Sequence, residues 1–163
     1  MKTLFILEEL KQRPVFNQKQ LGANTSHNYV NLYLHRLLKK NLILRIEKNL
    51  YTVQRDPFLI ASRIVWPSYI SCWTALKYHN LTEQVPYTIF VIVPYYKKAL
   101  TYLNTEIVFI KTKTNNIFGY DKVNYKGFDI FIADKEKAII DSLLLRKVSF
   151  SEIKEIIKNH KEE

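Results

Sequence analysis

Along the first 55 residues the apolar positions change period partway. Leu4, Ile6, Leu7 and Leu10 recur at near-helical spacing and Pro14 stops the segment, so a first helix is predicted over about residues 2–12. Asn17 is placed to N-cap a short helix, Gln18–Leu21, and Gly22 suits the left-handed position after it. Thr25 or Ser26 can cap a third helix reaching about Lys40, because no Gly or Pro interrupts residues 25–40. On that helix Val30, Leu34, Leu37 and Leu38 form one stripe, with Tyr33 on its edge. The opposite face presents Asn28, Leu32, His35, Arg36 and Lys39, with Tyr29 and Asn31 at the margins. The period then drops to two. Residues 43–46 and 50–53 read as two short strands around Glu47-Lys48-Asn49, where Asn49 can take a positive φ.

The pattern changes after Arg55. Asp56-Pro57 starts a helix to about Ile64, Asp as the cap and Pro in the first turn. Pro67-Ser68 is expected to open another, to about Tyr78, and residues 80–86 form a turn-rich link. Residues 88–93 are almost wholly apolar and read as a strand buried on both faces. Residues 106–110 read as a second strand, and 120–125 with 128–132 as a hairpin through Lys126-Gly127. Asp134 caps a helix to about Leu145, and Ser151 is expected to cap a last one to about His160. The predicted fold class is α+β: a winged helix-turn-helix over residues 1–55, then a mixed α+β domain over 56–163.

Charge sharpens this division. The chain has 163 residues and a formal net charge of +10, from 25 Lys+Arg against 15 Asp+Glu. Residues 1–55 hold ten of the basic side chains and only Glu8, Glu9 and Glu47 as acids, a balance of +7. The remaining two thirds of the chain carry +3. An A+T-rich coding bias could supply the Lys, but it would spread them evenly. The asymmetry points to a polyanion held by the N-terminal third, and nucleic acid is the commonest such partner.

A winged helix would lay its third helix in the major groove of double-stranded DNA. Asn28 and Asn31 can bond adenine, and Ser26 and His27 can bond bases or phosphates. Arg36, Lys39 and Lys40, with Arg45 and Lys48 on the wing, are phosphate partners that position rather than specify. Leu32 suits a thymine methyl, a dimer or domain contact, or simply an isolated exposed leucine.

Other chemistry is thinly supported. The four His and the lone Cys72 show no metal-ligand spacing, and three Gly leave no phosphate-cradling loop. Cys72 reads as a buried structural thiol on an apolar helix. Asp129, Asp134, Glu136 and Asp141 can be assembled into a metal site only on paper, since Glu136 with Lys135 and Lys137 reads as a solvated helix face. No catalytic residue, cofactor or metal is expected. The single Cys suggests a reducing, cytoplasmic setting, and neither a signal peptide nor a membrane span is read.

Several strings resemble the AbiEi family of antitoxin-type transcriptional regulators. They are Asp56 to Ser62, Pro67-Ser68-Tyr69-Ile70-Ser71, Ala75-Leu76, Leu81-Thr82-Glu83-Gln84-Val85-Pro86, Phe118-Gly119-Tyr120, Ala133 to Ala138 and Ile140-Asp141. The resemblance implies a repressor that binds an inverted-repeat operator as two copies through its N-terminal winged helix, with the Thr25-Ser26 start and Arg36-Leu37 matching the family's DNA-reading helix and Arg45 and Leu50-Tyr51 its wing. It also implies a C-terminal domain that counters a nucleotidyltransferase-like toxin without a stable complex, in a type IV toxin–antitoxin system of abortive infection. The family usually carries Arg-Gly at the wing turn, where this chain has Lys48-Asn49, and many relatives continue with more helices. Two alternatives stand beside it: a stand-alone regulator without a toxin, and a module whose winged-helix face (Tyr29, Leu32, Tyr33) docks a protein. A nuclease acting through Asp129 and Glu136 is a third.

Overall fold

The computed structural model describes residues 2–21 and 27–159, with side chains from 7–21 and 29–159. The chain divides into two units, Met1–Ile64 and Val65–Glu163. The helix that starts at Pro57 therefore belongs with the first unit rather than the second. The charge split is unchanged, because that helix region adds one acid, Asp56, and one base, Arg63.

The first unit runs α1 (Lys2–Lys11), α2 (Gln18–Leu21), α3 (His27–Lys39), β1 (Leu44–Glu47), β2 (Leu50–Thr52) and α4 (Pro57–Ile64). Its core is the predicted stripe. Val30, Leu34 and Leu37 of α3 are buried with Leu10, Phe16 and Ile43, and Tyr33 and Leu38 pack at the margin. The α2 cap is a reciprocal box: Gln20 N–H donates to Asn17 Oδ1 at 3.1 Å, and Asn17 N–H to Gln20 Oε1 at 2.8 Å. Gly22, Thr25 and Ser26, expected to end α2 and cap α3, lie outside the described residues. Helix α3 stops on Asn41, at φ 53°, with Leu42 N–H bonded to Leu37 O and Asn41 N–H to Leu38 O. β1 and β2 pair antiparallel, Glu47 opposite Leu50, and Asn49 takes φ 59° in the turn as expected. Phe16 extends the pair as a third edge, exchanging two 2.9 Å backbone bonds with Tyr51 while their rings stack. Asp56 caps α4 through Phe58 N–H at 3.0 Å.

The second unit is a six-stranded mixed sheet with helices. In chain order it runs β3 (Tyr69–Ile70), α5 (Cys72–Tyr78), β4 (Thr88–Val93), β5 (Leu100–Tyr102), β6 (Thr105–Lys111), β7 (Tyr120–Tyr125), β8 (Phe128–Ala133), α6 (Lys135–Leu144) and α7 (Phe150–Asn159). The spatial order is β5-β6-β4-β3-β8-β7. β4 runs parallel to β6, and β3 runs parallel to β8 but antiparallel to β4. Helices α5 and α6 pack on each other, α5 against β4 and α6 against β8, so they cover one face.

Three expectations are corrected here. The helix predicted from Pro67 begins at Cys72, because Tyr69 and Ile70 form the strand that joins the two halves of the sheet. Three-residue β5 was not anticipated; it returns through Leu103 and Asn104, both at positive φ, a two-residue turn that matches strand twist. The cap of α7 is Ser149, not Ser151. Ser149 N–H and hydroxyl donate to Glu152 Oε2 at 3.1 and 2.6 Å, and Glu152 N–H donates back to Ser149 Oγ at 3.2 Å.

The cap of α6 is Asp134, as predicted: Lys137 N–H donates to its Oδ1 at 2.6 Å. Asp134→Ala should lower stability by about 1 kcal/mol, measured by urea unfolding, because it strands a helix-terminal N–H. No change would mean that the bond has no net value.

Candidate nucleic-acid interface

Helix α3 exposes one continuous polar face. Asn31, His35, Arg36, Lys39 and Lys40 are exposed, and so are Tyr29 at 56% and Leu32 at 48%. The stripe spacing forces this arrangement, since burying Val30, Leu34 and Leu37 turns the residues between them outward. No acidic side chain occurs from His27 to Asn41. Among the described residues no ion pair engages Arg36, Lys39, Lys40 or Lys48. Such cations keep their full charge for an external anion. The Tyr29 ring is nearly parallel to that of Tyr33, with centroids 6.5 Å apart and planes 3° from parallel.

The hairpin adds two exposed cations. Arg45 is in β1, its Nε donating to Glu47 O at 3.3 Å, and Lys48 is in the turn. That bond uses one edge of the guanidinium and leaves four further N–H donors on its two terminal nitrogens.

The sequence-predicted residues thus fall into three groups. Asn31, Arg36 and Lys39 are exposed on α3, Lys40 is exposed just past its end, and Arg45 and Lys48 are exposed on the hairpin that follows. His27 and Asn28 form the first turn of α3, and their side chains lie outside the described set, as Thr25 and Ser26 do entirely.

Two participants were missed. Gln18 Nε2 donates to Asn31 Oδ1 at 2.5 Å, and Gln18 N–H donates to Asn49 Oδ1 at 3.1 Å. A run of hydrogen bonds therefore ties the hairpin turn to α2 and α2 to the open face of α3. The only signal in the sequence was the polar side chain just after the Asn17 cap, which says nothing about what lies 13 residues on.

The other candidate chemistry disperses. Among the described residues no group of three or more His, Cys, Asp and Glu is placed to hold a metal ion. Asp129 pairs with Lys122 at 2.6 Å, Asp134 caps α6, and Glu136 is exposed. Asp141 is buried beside Lys137, Nζ to Oδ1 3.0 Å, so the expected solvated face is corrected at Lys137. Asp141 Oδ2 accepts from Tyr69 Oη at 3.0 Å and from Ser71 Oγ at 2.8 Å. Burial, and the negative charge of Asp141, push the Tyr69 phenol well above its usual range, which keeps it a donor. Cys72 is fully buried, and desolvation with Asp141 pushes its thiol up to about 12. A thiol held neutral in this way is not a nucleophile at ordinary pH.

An open cleft of about 390 Å³ in the second unit is lined by Trp73, Thr82, Glu83, Glu152 and Glu155 among others. Glu152 there is occupied with capping α7, and bonds from Ser149 hold its carboxyl below the usual carboxylate range. Among the described residues no helix is long and apolar enough to cross a membrane. No protein-family model matches this sequence, and no curated protein matches it.

Proposed function

We propose that the first unit is a winged helix-turn-helix that binds double-stranded DNA, and that the protein is a transcriptional repressor. The observation that carries this reading is the outer face of α3 and the turn after it: three exposed cations, Arg36, Lys39 and Lys40, with no acid on the helix and, among the described residues, no ion pair to any of the three. A solvated structural face needs no such one-sided charge. In this reading α3 enters the major groove, its first half meets base edges, and Arg36, Lys39 and Lys40 meet phosphates. The β1–β2 hairpin is the wing and carries Arg45 and Lys48 to the backbone.

The resemblance to AbiEi regulators extends the reading. Two copies would bind an inverted repeat, and the second unit would counter a nucleotidyltransferase-like toxin without a stable complex. Reading the neighbouring gene bears on the toxin, and a gel-shift with the chain's own upstream region bears on the operator.

Salt dependence tests DNA binding directly. Five phosphate contacts predict that log K falls with log salt at a slope of about −4 to −5. Titration of a fluorescent duplex between low and moderate salt reads it. A slope near zero would remove the DNA reading.

A second reading has its own observation: Tyr29 and Leu32 are large, apolar and about half exposed on the same face. Such a face can dock a protein. Salt-insensitive capture of a partner, with no duplex bound, would favour it.

A further inference from the structure

Resting on the DNA reading above, we propose that Asn31 is the base-reading residue of α3, that its target is an adenine in the major groove, and that Gln18 is the residue that positions it.

Asn31 is exposed, and an exposed carboxamide ordinarily rotates about its last torsion, presenting oxygen and nitrogen in turn. Here a hydrogen bond restrains that rotation. Gln18 Nε2 holds Oδ1 at 2.5 Å, turning the oxygen towards α2 and leaving Nδ2 on the other side. A carbonyl oxygen has two lone pairs, so Oδ1 still accepts one more bond. The face offered to DNA in this arrangement is a donor beside an acceptor.

Adenine matches that pair. In the major groove it shows the N7 acceptor next to the N6 amino donor. Guanine shows two acceptors, so its O6 would oppose Oδ1. Thymine offers an acceptor and a methyl, and cytosine a donor alone. Pre-orientation also removes the rotational entropy that a free side chain would lose on binding.

Gln18 is itself anchored. Its backbone N–H donates to Asn49 Oδ1 at 3.1 Å, and Asn49 sits in the hairpin turn with φ 59°. A glycine at that turn would keep the left-handed backbone but lose the side-chain acceptor. The wing turn is thereby linked through Gln18 to the reading residue.

The test is selection from a randomised duplex library by the full chain, comparing the parent with Asn31→Ala, Gln18→Ala and Asn49→Gly. The parent should select adenine at one fixed position of each half-site. Asn31→Ala should lose about tenfold of the preference for adenine there. Gln18→Ala should relax the same position, with every other position and the salt slope unchanged. Asn49→Gly should relax that position to a lesser degree. A merely structural Gln18 would weaken binding to all duplexes alike, and that result overturns the proposal. So does an adenine preference that survives Asn31→Ala, or relaxation at different positions in the two variants. Failure of the parent to bind any duplex overturns the DNA reading and this proposal together, whereas binding with an unaltered preference overturns this proposal alone.

Discussion

Asp141→Ala is expected to destabilise the second unit by about 3–5 kcal/mol, the largest effect of any single change considered for this chain. The Lys137 and Asp141 side chains are 6% and 7% exposed, and their charged atoms stand 3.0 Å apart one helical turn from each other. Lys137 Nζ also donates to Asn116 O at 3.2 Å and lies 4.2 Å from the centre of the Phe118 ring. Removing the carboxylate leaves a buried ammonium without its counter-charge and takes the acceptor from two hydroxyls, Tyr69 and Ser71. That loss is a large part of the roughly 5–15 kcal/mol that holds a domain folded. Both tryptophans, Trp66 and Trp73, belong to this unit, so urea unfolding followed by their fluorescence reports it separately from the first. Lys137→Met combined with Asp141→Leu should recover only the part due to the unpaired ammonium, because the Tyr69 and Ser71 hydroxyls still lose their acceptor. A single variant within about 1 kcal/mol of the parent would mean that water reaches the ammonium and the pair is not sequestered.

On the proposed DNA reading, replacing both Arg36 and Lys39 with alanine is expected to weaken duplex binding about 30-fold at roughly 150 mM salt, and equally on every duplex. Each lost phosphate contact reduces the slope of log K against log salt by about 0.9, so the pair should flatten it by nearly two. Neither residue supports the core: both are exposed, and alanine is the better helix former. Stability should therefore hold while affinity falls. The contrast with Asn31 is the decisive part, since phosphate contacts set affinity and base contacts set preference. A double variant that binds with the parent's affinity and slope would mean that α3 does not face the DNA backbone.

Much of the first unit, and one cap of the second, is legible in the sequence. The period of Val30, Leu34 and Leu37 determines which side of α3 is buried, and hence that Arg36 and Lys39 point outward. Asn17, Asp56 and Asp134 act as the caps that their side chains allow, and Asn49 takes the left-handed turn. These are local matters: a helix stripe, a cap or a turn is decided by residues within about one turn of each other.

What escaped the sequence is non-local. Tyr69-Ile70 is too short to show a strand period, and it becomes a strand only because Ile92 of β4 and Ile132 of β8 flank it. Ser149 and Ser151 stand two apart, and both could cap α7 until the bond with Glu152 chose between them. Lys137 and Asp141 have the spacing of an ordinary solvated pair on a helix surface. Whether such a pair faces water or the interior depends on what packs over it, here Tyr69 and Phe118 from distant parts of the chain. The same holds for Gln18 and Asn31. Sequence alone determined the composition of the proposed reading helix and the sign of its exposed face. Only the tertiary structure brought Asn31 to Gln18 of α2, because a hydrogen bond between two helices exists only once both have packed.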